Sequence, residues 1–133
     1  VCRQAMLGKG FLPDLDADAL KQLAEIRTSG IAVGADLRDL RSLLWCSIDN
    51  DDSRDLDQLT VSEEAEERGI KILIAVADVD SLVEKSTPID AHAANNTTTV
   101  YTITRVFTMI PAQLSTDLTS LNPESNRPSD VVL

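Results

Sequence analysis

Aromatic side chains are scarce in this chain: one Trp, one Tyr and two Phe among 133 residues, or 3%. A core of Leu, Ile, Val and Ala is possible. Apolar types still make up 43% of the sequence, which places it with globular domains rather than disordered chains. Cationic side chains are also few, 12 Lys and Arg against 22 Asp and Glu, for a net charge of −10. Phosphate contacts rely on Lys and Arg, so a nucleic-acid partner requires metal ions or a basic surface supplied from elsewhere. The two cysteines, Cys2 and Cys46, have no CxxC or zinc-type spacing and make no disulfide framework. Reduced thiols are expected. No stretch reaches the ~18 apolar residues of a membrane span, and the amino end lacks the apolar core of a signal peptide. No membrane partner is expected, and the location is read as cytoplasmic. The single histidine, His92, has no nucleophile beside it and reads as an ordinary surface or hydrogen-bonded residue.

The length fits one domain or part of one. The chain starts at Val1 and ends on Val131-Val132-Leu133, an apolar triplet resembling the start of a strand; it reads as a piece of something larger. Residues 13–29 read as a helix. Asp16 or Asp18 caps its start, Leu20, Leu23, Ala24 and Ile26 form an apolar face, and Gly30 takes the stop position. Residues 36–42 are a polar connection, and 43–48 and 59–61 are short strands around a polar loop. Residues 63–69 (EEAEERG) read as a solvated turn. Residues 70–77 (IKILIAVA) are the clearest strand, apolar enough to sit centrally in a sheet. Asp78 is placed to cap a short helix through Val83, capping being preferred over a role near a metal. Residues 88–96 suggest a second short helix, 97–106 a β-branched strand, and the remainder turns and loop.

What is abundant is carboxylate. Nine of the 22 acidic residues fall between Asp49 and Glu67, and Asp49, Asp51, Asp52, Asp55 and Asp57 lie within nine residues. Carboxylates that close repel one another unless a cation neutralises them. Oxygen-only ligands favour Mg²⁺, Mn²⁺ or Ca²⁺ over zinc. An EF-hand loop fails in both registers. Counting from Asp49 puts Arg54 at the turn glycine and Thr60 at the bidentate Glu; counting from Asp51 puts Leu56 and Ser62 there. A catalytic magnesium site is the alternative, since paired metals can activate water and stabilise a leaving oxygen at a phosphodiester. Asp55 and Asp57, two apart, face one side of an extended strand, with Asp49 returning to them across a turn. A merely solvated acidic loop is the competing reading. Arg54 is placed either to hold a phosphate or to neutralise its neighbours.

The string from Ile48 to Gln58, IDNDDSRDLDQ, resembles the signature of the RNase II / RNase R family, the RNB domain: I-D, five residues, then D-[FLM]-D-D. Further matches follow in order. Leu73 to Val79 (LIAVADV) is similar to the family's "hIADV" strand, Met109-Ile110-Pro111 to "PMLP", and Leu114 to Pro123 (LSTDLTSLNP) to "LSxDLCSLNP". Gly10 to Pro13 and Ala35 to Leu40 look like the approach to that domain.

The resemblance implies an α+β fold, a leading helix followed by a mostly antiparallel sheet with short helices. Residues 1–35 would be an amino-terminal helical lead-in and 36–133 the truncated amino-terminal part of the catalytic domain. It also implies a 3′→5′ exoribonuclease that uses Mg²⁺, with Mn²⁺ as a substitute, to release nucleoside 5′-monophosphates from single-stranded RNA; DNA is not expected as a partner. Asp49, Asp55 and Asp57 would be metal ligands, Asp55 and Asp57 catalytic. Gln58 stands where the family has a carboxylate, so a charge is lost from the ligand set. Tyr101 would stack on the terminal base, with a core strand Tyr as the plain alternative. Arg54 and Arg127 are further candidate RNA contacts, although a surface charge is the simpler role for Arg127. The rest of the domain, with a family arginine near the cleaved phosphate, would lie outside this chain. A non-catalytic RNA- or protein-binding remnant is the rival reading.

Overall fold

A computed structural model describes residues 1–26, 37–65 and 69–133. The chain opens with α1 (Cys2–Gly8) and α2 (Ala17–Glu25), followed by the long hairpin β1 (Gln58–Ala65) and β2 (Gly69–Ala77). Then come α3 (Pro88–Asn96), the short pair β3 (Val100–Tyr101) and β4 (Val106–Phe107), a π-helix (Leu114–Leu118) and β5 (Ser129–Val132). The fold is α+β. One antiparallel sheet has the order β1-β2-β5, and β3-β4 form a separate antiparallel pair.

Local chemistry explains the helix ends. The Asp16 side chain accepts from the Ala19 N–H at 2.8 Å, satisfying one of the donors that a helix start leaves open. This cap sets α2 at Ala17, four residues later than the helix expected from residue 13. The expected stop at Gly30 lies outside the described residues. Ala19 is fully buried while Leu20 and Ala24 face solvent, so the buried stripe is narrower than the sequence face implied. Pro88 occupies the first turn of α3, where its missing N–H costs nothing, and the helix spans the residues expected. Gln22 of α2 accepts from the Ile89 N–H at 2.9 Å, tying the two helices together. Around that contact Ala19, Val83, Ile89 and Leu114 form a buried cluster, flanked by Leu23, Ile26, Val79 and Leu118.

β2 is the central strand, as its apolar run implies, pairing with β1 from Gln58↔Val76 to Ala65↔Gly69 and with β5 from Ile74↔Val132 to Ala77↔Ser129. Among the described residues only one of its faces is covered. Leu73 and Ala75 are buried, while Ile70, Ile72, Ile74 and Val76 stay exposed. Beneath the covered face Leu56, Ala75 and Leu121 form a second cluster with Trp45, Leu59, Ala77 and Val131 packed against it.

Four expectations are corrected. Glu63, Glu64 and Ala65 continue β1 instead of forming a turn, with Glu63 opposite Lys71 and their charges 3.9 Å apart; residues 66–68 lie outside the described set. The strand expected over 43–48 reduces to a single bridge, Cys46↔Thr60. The strand expected over 97–106 breaks into β3 and β4. There Thr102 Oγ1 donates to the Arg105 carbonyl at 2.6 Å and accepts the Arg105 N–H at 3.2 Å, closing a tight turn. The segment after residue 106, expected to be turns and loop, contains the π-helix, where the Thr119 N–H and hydroxyl both donate to the Leu114 carbonyl at 3.0 Å. At Asp78 the capping reading holds in reduced form. Its carboxylate accepts from the Ser81 N–H at 3.1 Å, but residues 80–83 form a turn and not a helix.

Candidate catalytic loop

The acidic segment hangs between two anchors. At its start the Cys46 N–H donates to the Thr60 carbonyl at 2.9 Å, and the Thr60 N–H returns the bond at 2.8 Å. At its end the Ala77 N–H donates to the Asp57 carbonyl at 2.9 Å. Between them the Ser53 N–H closes a turn onto the Asn50 carbonyl at 3.0 Å. Leu56 supplies the hydrophobic hold: it is buried in the second cluster, so side-chain alternation along extended chain turns Asp55 and Asp57 outward. Both are exposed.

Tyr101, at the end of β3, reaches this pair. Its hydroxyl donates to Asp55 Oδ2 at a long 3.4 Å. The negative charge of Asp55 raises the phenol above its ordinary value of 10, with partial burial, the Asp55 hydrogen bond and the charge of Asp57 adding in the same direction. Tyr101 is 69% exposed, so its ring is an open surface feature and the core-strand alternative does not describe it. The hairpin carrying it is tied down from the helical side. Arg105 lies 4.8 Å over the Phe107 ring and 3.3 Å from Asp14, which Arg3 also contacts at 2.8 Å.

The remaining candidates are more scattered. Asp49 sits in an exposed bend ahead of the turn. Gln58 begins β1 opposite Val76 and is exposed. Among the described residues no three of His, Cys, Asp and Glu stand close enough to hold a metal ion. The hard, all-oxygen donors of Asp55 and Asp57 suit Mg²⁺ or Mn²⁺ chemically; both are exposed beside Tyr101, but among the described residues no third carboxylate joins them. Arg54 is exposed and makes no ion pair with a described residue. Arg127 is not the free surface charge expected. Its side chain is 15% exposed, and its guanidinium donates to the Asp117 carbonyl at 3.0 Å and lies 3.6 Å from the Asp117 carboxylate, holding it against the π-helix.

Ser120 and Leu121 lie within the LSTDLTSLNP string but are not among the expected site residues. Leu56 donates its N–H to Ser120 Oγ at 3.0 Å, and the Leu121 N–H donates to the Leu56 carbonyl at 2.8 Å. The downstream motif therefore grips the acidic loop.

The chain belongs to the RNB domain family, whose model matches residues 37–133. Among individual relatives it is similar to ribonuclease R of Escherichia coli (strain K12), 42% identical over 89 residues, which is 67% of this chain and 11% of that protein. Ribonuclease R of Acidithiobacillus ferrooxidans is 36% identical over 115 residues, 86% of this chain and 26% of that protein. In structure it resembles Mycoplasma genitalium RNase R in complex with double-stranded RNA, with a TM-score of 0.81 at 29% identity, over 95% of this chain and 22% of that one. The same enzyme in complex with ribose methylated single-stranded RNA gives a TM-score of 0.79 at 26% identity, over 95% and 20%. The chain thus spans between a tenth and about a quarter of the relatives it matches.

Proposed function

We propose that this chain carries part of the catalytic centre of a 3′→5′ exoribonuclease that hydrolyses single-stranded RNA to nucleoside 5′-monophosphates. The observation that carries this reading is the pairing of two outward carboxylates, Asp55 and Asp57, with an exposed tyrosine ring at their side. The RNA in the structures of the Mycoplasma genitalium relative supports the substrate class. Asp55 and Asp57, with Asp49 and the neutral amide oxygen of Gln58, are the groups that would hold Mg²⁺ or Mn²⁺. When bound, the metal supplies charge to polarise the phosphodiester and activate water.

The chain's own residues do the positioning. The face of Tyr101 offers the terminal base a stacking platform that accepts any sequence. Its hydroxyl, 3.4 Å from Asp55 Oδ2, would set that base beside the carboxylates. Arg54, free of ion pairs with described residues, is available to a backbone phosphate, whereas Arg127 is held against the π-helix by Asp117. With a net charge of −10, this region relies on cationic surface from elsewhere for affinity, and the 133-residue chain alone is expected to be inactive. Its thiols and composition fit the cytoplasm.

A second reading, a non-catalytic RNA- or protein-binding remnant, is favoured by two observations: Gln58 in place of a carboxylate, and the lack of a third acid beside the pair among the described residues. Incubating the full-length protein with single-stranded RNA across a range of Mg²⁺ and Mn²⁺ separates the two. Release of monophosphates is expected. Asp57→Asn should reduce it by about a thousandfold or more while RNA affinity moves by less than about twofold, since affinity comes from cationic contacts and stacking. Gln58→Asp should leave turnover intact or lower the Mg²⁺ requirement by restoring a charged ligand. Absence of monophosphates at every metal concentration makes the remnant the correct reading.

A further inference from the structure

The grip on the acidic loop is more specific than a core contact. Ser120 is 1% exposed, and its hydroxyl accepts the Leu56 N–H at 3.0 Å while donating to the Arg54 carbonyl at 2.9 Å. Those two groups belong to the peptide units on either side of Asp55, so one hydroxyl bridges both flanks of a candidate ligand. The hydroxyl proton has a second acceptor, Asn122 Oδ1 at 3.2 Å, presented because the Asn122 Nδ2 group is turned to donate to the Thr116 carbonyl at 3.2 Å. The Leu121 N–H adds a bond to the Leu56 carbonyl at 2.8 Å. The backbone torsions of Asp55 are thereby fixed from a segment 64 residues away in sequence.

The geometry points to Ser120 as a positioning residue for the carboxylate pair: by bridging the peptides flanking Asp55 it sets the spacing of Asp55 and Asp57 for the metal. This inference rests on the exoribonuclease reading and assigns that site a support on the π-helix side. A hydroxyl serving only to fill space would be replaced by Ala at little cost. Here the replacement leaves a buried N–H without its acceptor and a carbonyl without its donor, each a costly loss, and frees the torsions of a metal ligand. Supporting groups of this kind typically change metal affinity or activity by about ten- to a hundredfold when removed.

The test uses the full-length protein and Ser120→Ala, with Mn²⁺ binding measured directly by electron paramagnetic resonance alongside the Mg²⁺ concentration for half-maximal monophosphate release. Both midpoints should rise about tenfold, RNA affinity in chelator should move by less than about twofold, and Ser120→Thr, which keeps the hydroxyl, should restore much of the loss. Val83→Ala, in the helical cluster, is the control for lost stability and should leave both midpoints in place. If Ser120→Ala does not fold, Ser120→Cys takes its place, near in volume but a weak acceptor. Unchanged Mn²⁺ binding in the serine variant, or an equal shift in Val83→Ala, overturns the proposal. Wild-type protein that binds Mn²⁺ but releases no monophosphates, with Ser120→Ala weakening that binding, ends the enzyme reading and leaves the positioning role standing. Wild-type protein that neither binds Mn²⁺ nor cleaves overturns both.

Discussion

The two halves of the molecule solve burial differently. In the helical half Ala19, Ile89 and Leu114 have no exposed surface, and side-chain hydrogen bonds from Gln22 and Asn96 cross between elements to lock the packing. In the sheet half the cluster around Leu56, Ala75 and Leu121 covers one face of β2, while Ile70, Ile72, Ile74 and Val76 remain open on the other. The candidate carboxylates belong to the second half. They are held by backbone hydrogen bonds, the Ser120 hydroxyl and one buried leucine, so the site depends on particular bonds more than on bulk burial.

The sharpest way to break that contrast is to cut one leucine from each half. Leu114→Ala should cost about 4 kcal/mol and Leu56→Ala about 2–3 kcal/mol, because a fully enclosed site leaves the larger residual cavity. Urea unfolding of the full-length protein measures both. The functional order should be reversed: among molecules still folded, Leu56→Ala should raise the Mg²⁺ requirement several-fold and Leu114→Ala should leave it in place, since only Leu56 turns Asp55 and Asp57 outward. Equal shifts in metal requirement would show that the halves are not separable in function.

How much of this was legible in the sequence follows the range of the forces involved. Caps and fixed torsions act within a few residues, so the cap at Asp16 and the start of α3 at Pro88 could be read directly. The centrality of β2 could also be read, from its apolar run. The open face could not, because a nearly continuous apolar run does not say which side is covered. α1 has no side-chain cap and gave no terminal signal. The β3–β4 turn is closed by a threonine hydroxyl rather than by Gly or Asn-Gly, and the π-helix lies in a stretch of small polar residues whose composition suits a loop. At the site, spacing placed Asp55 and Asp57 on one side. The Tyr101 contact, the brace of Arg127 on Asp117 and the Ser120 bridge join residues distant in sequence or side chains whose direction only packing decides. A motif can mark such residues without revealing what they touch.

A smaller effect is expected on the open face. Ile72, Ile74 and Val132 share that face by strand register, and exposed apolar strands invite association. The 133-residue chain should therefore self-associate in dilute buffer, and Ile72→Lys with Ile74→Lys should return it towards a monomer in sedimentation velocity while costing less than about 1 kcal/mol in stability. A wild-type chain that is already monomeric and unfolds cooperatively would show the sheet half to be as self-sufficient as the helical half.

The smallest effect belongs to the closed half and to its single histidine. Asn96 Oδ1 accepts the Leu12 N–H at 2.8 Å, and Asn96 Nδ2 donates to the Leu12 carbonyl at 2.9 Å. This fixes which end of the amide faces His92, so the NH₂ group lies 3.1 Å from His92 Nε2. That nitrogen must accept, which makes the ring neutral with its proton on Nδ1. Burial lowers the histidine below its ordinary value of 6.5, against a weaker opposing pull from the Asp16 carboxylate. Asp14 and Arg105 line the same hollow with charges that already face each other. A base whose folded value is depressed gives stability that is present above the unfolded value and lost as pH falls through the folded one. Between pH 7 and about 5.5, before most carboxylates titrate, the wild-type protein should lose stability, and His92→Gln should flatten that slope. Parallel slopes in thermal unfolding across that window would mean that the Asn96 contact does not hold the ring neutral, and that the closed half is less rigidly specified than its burial indicates.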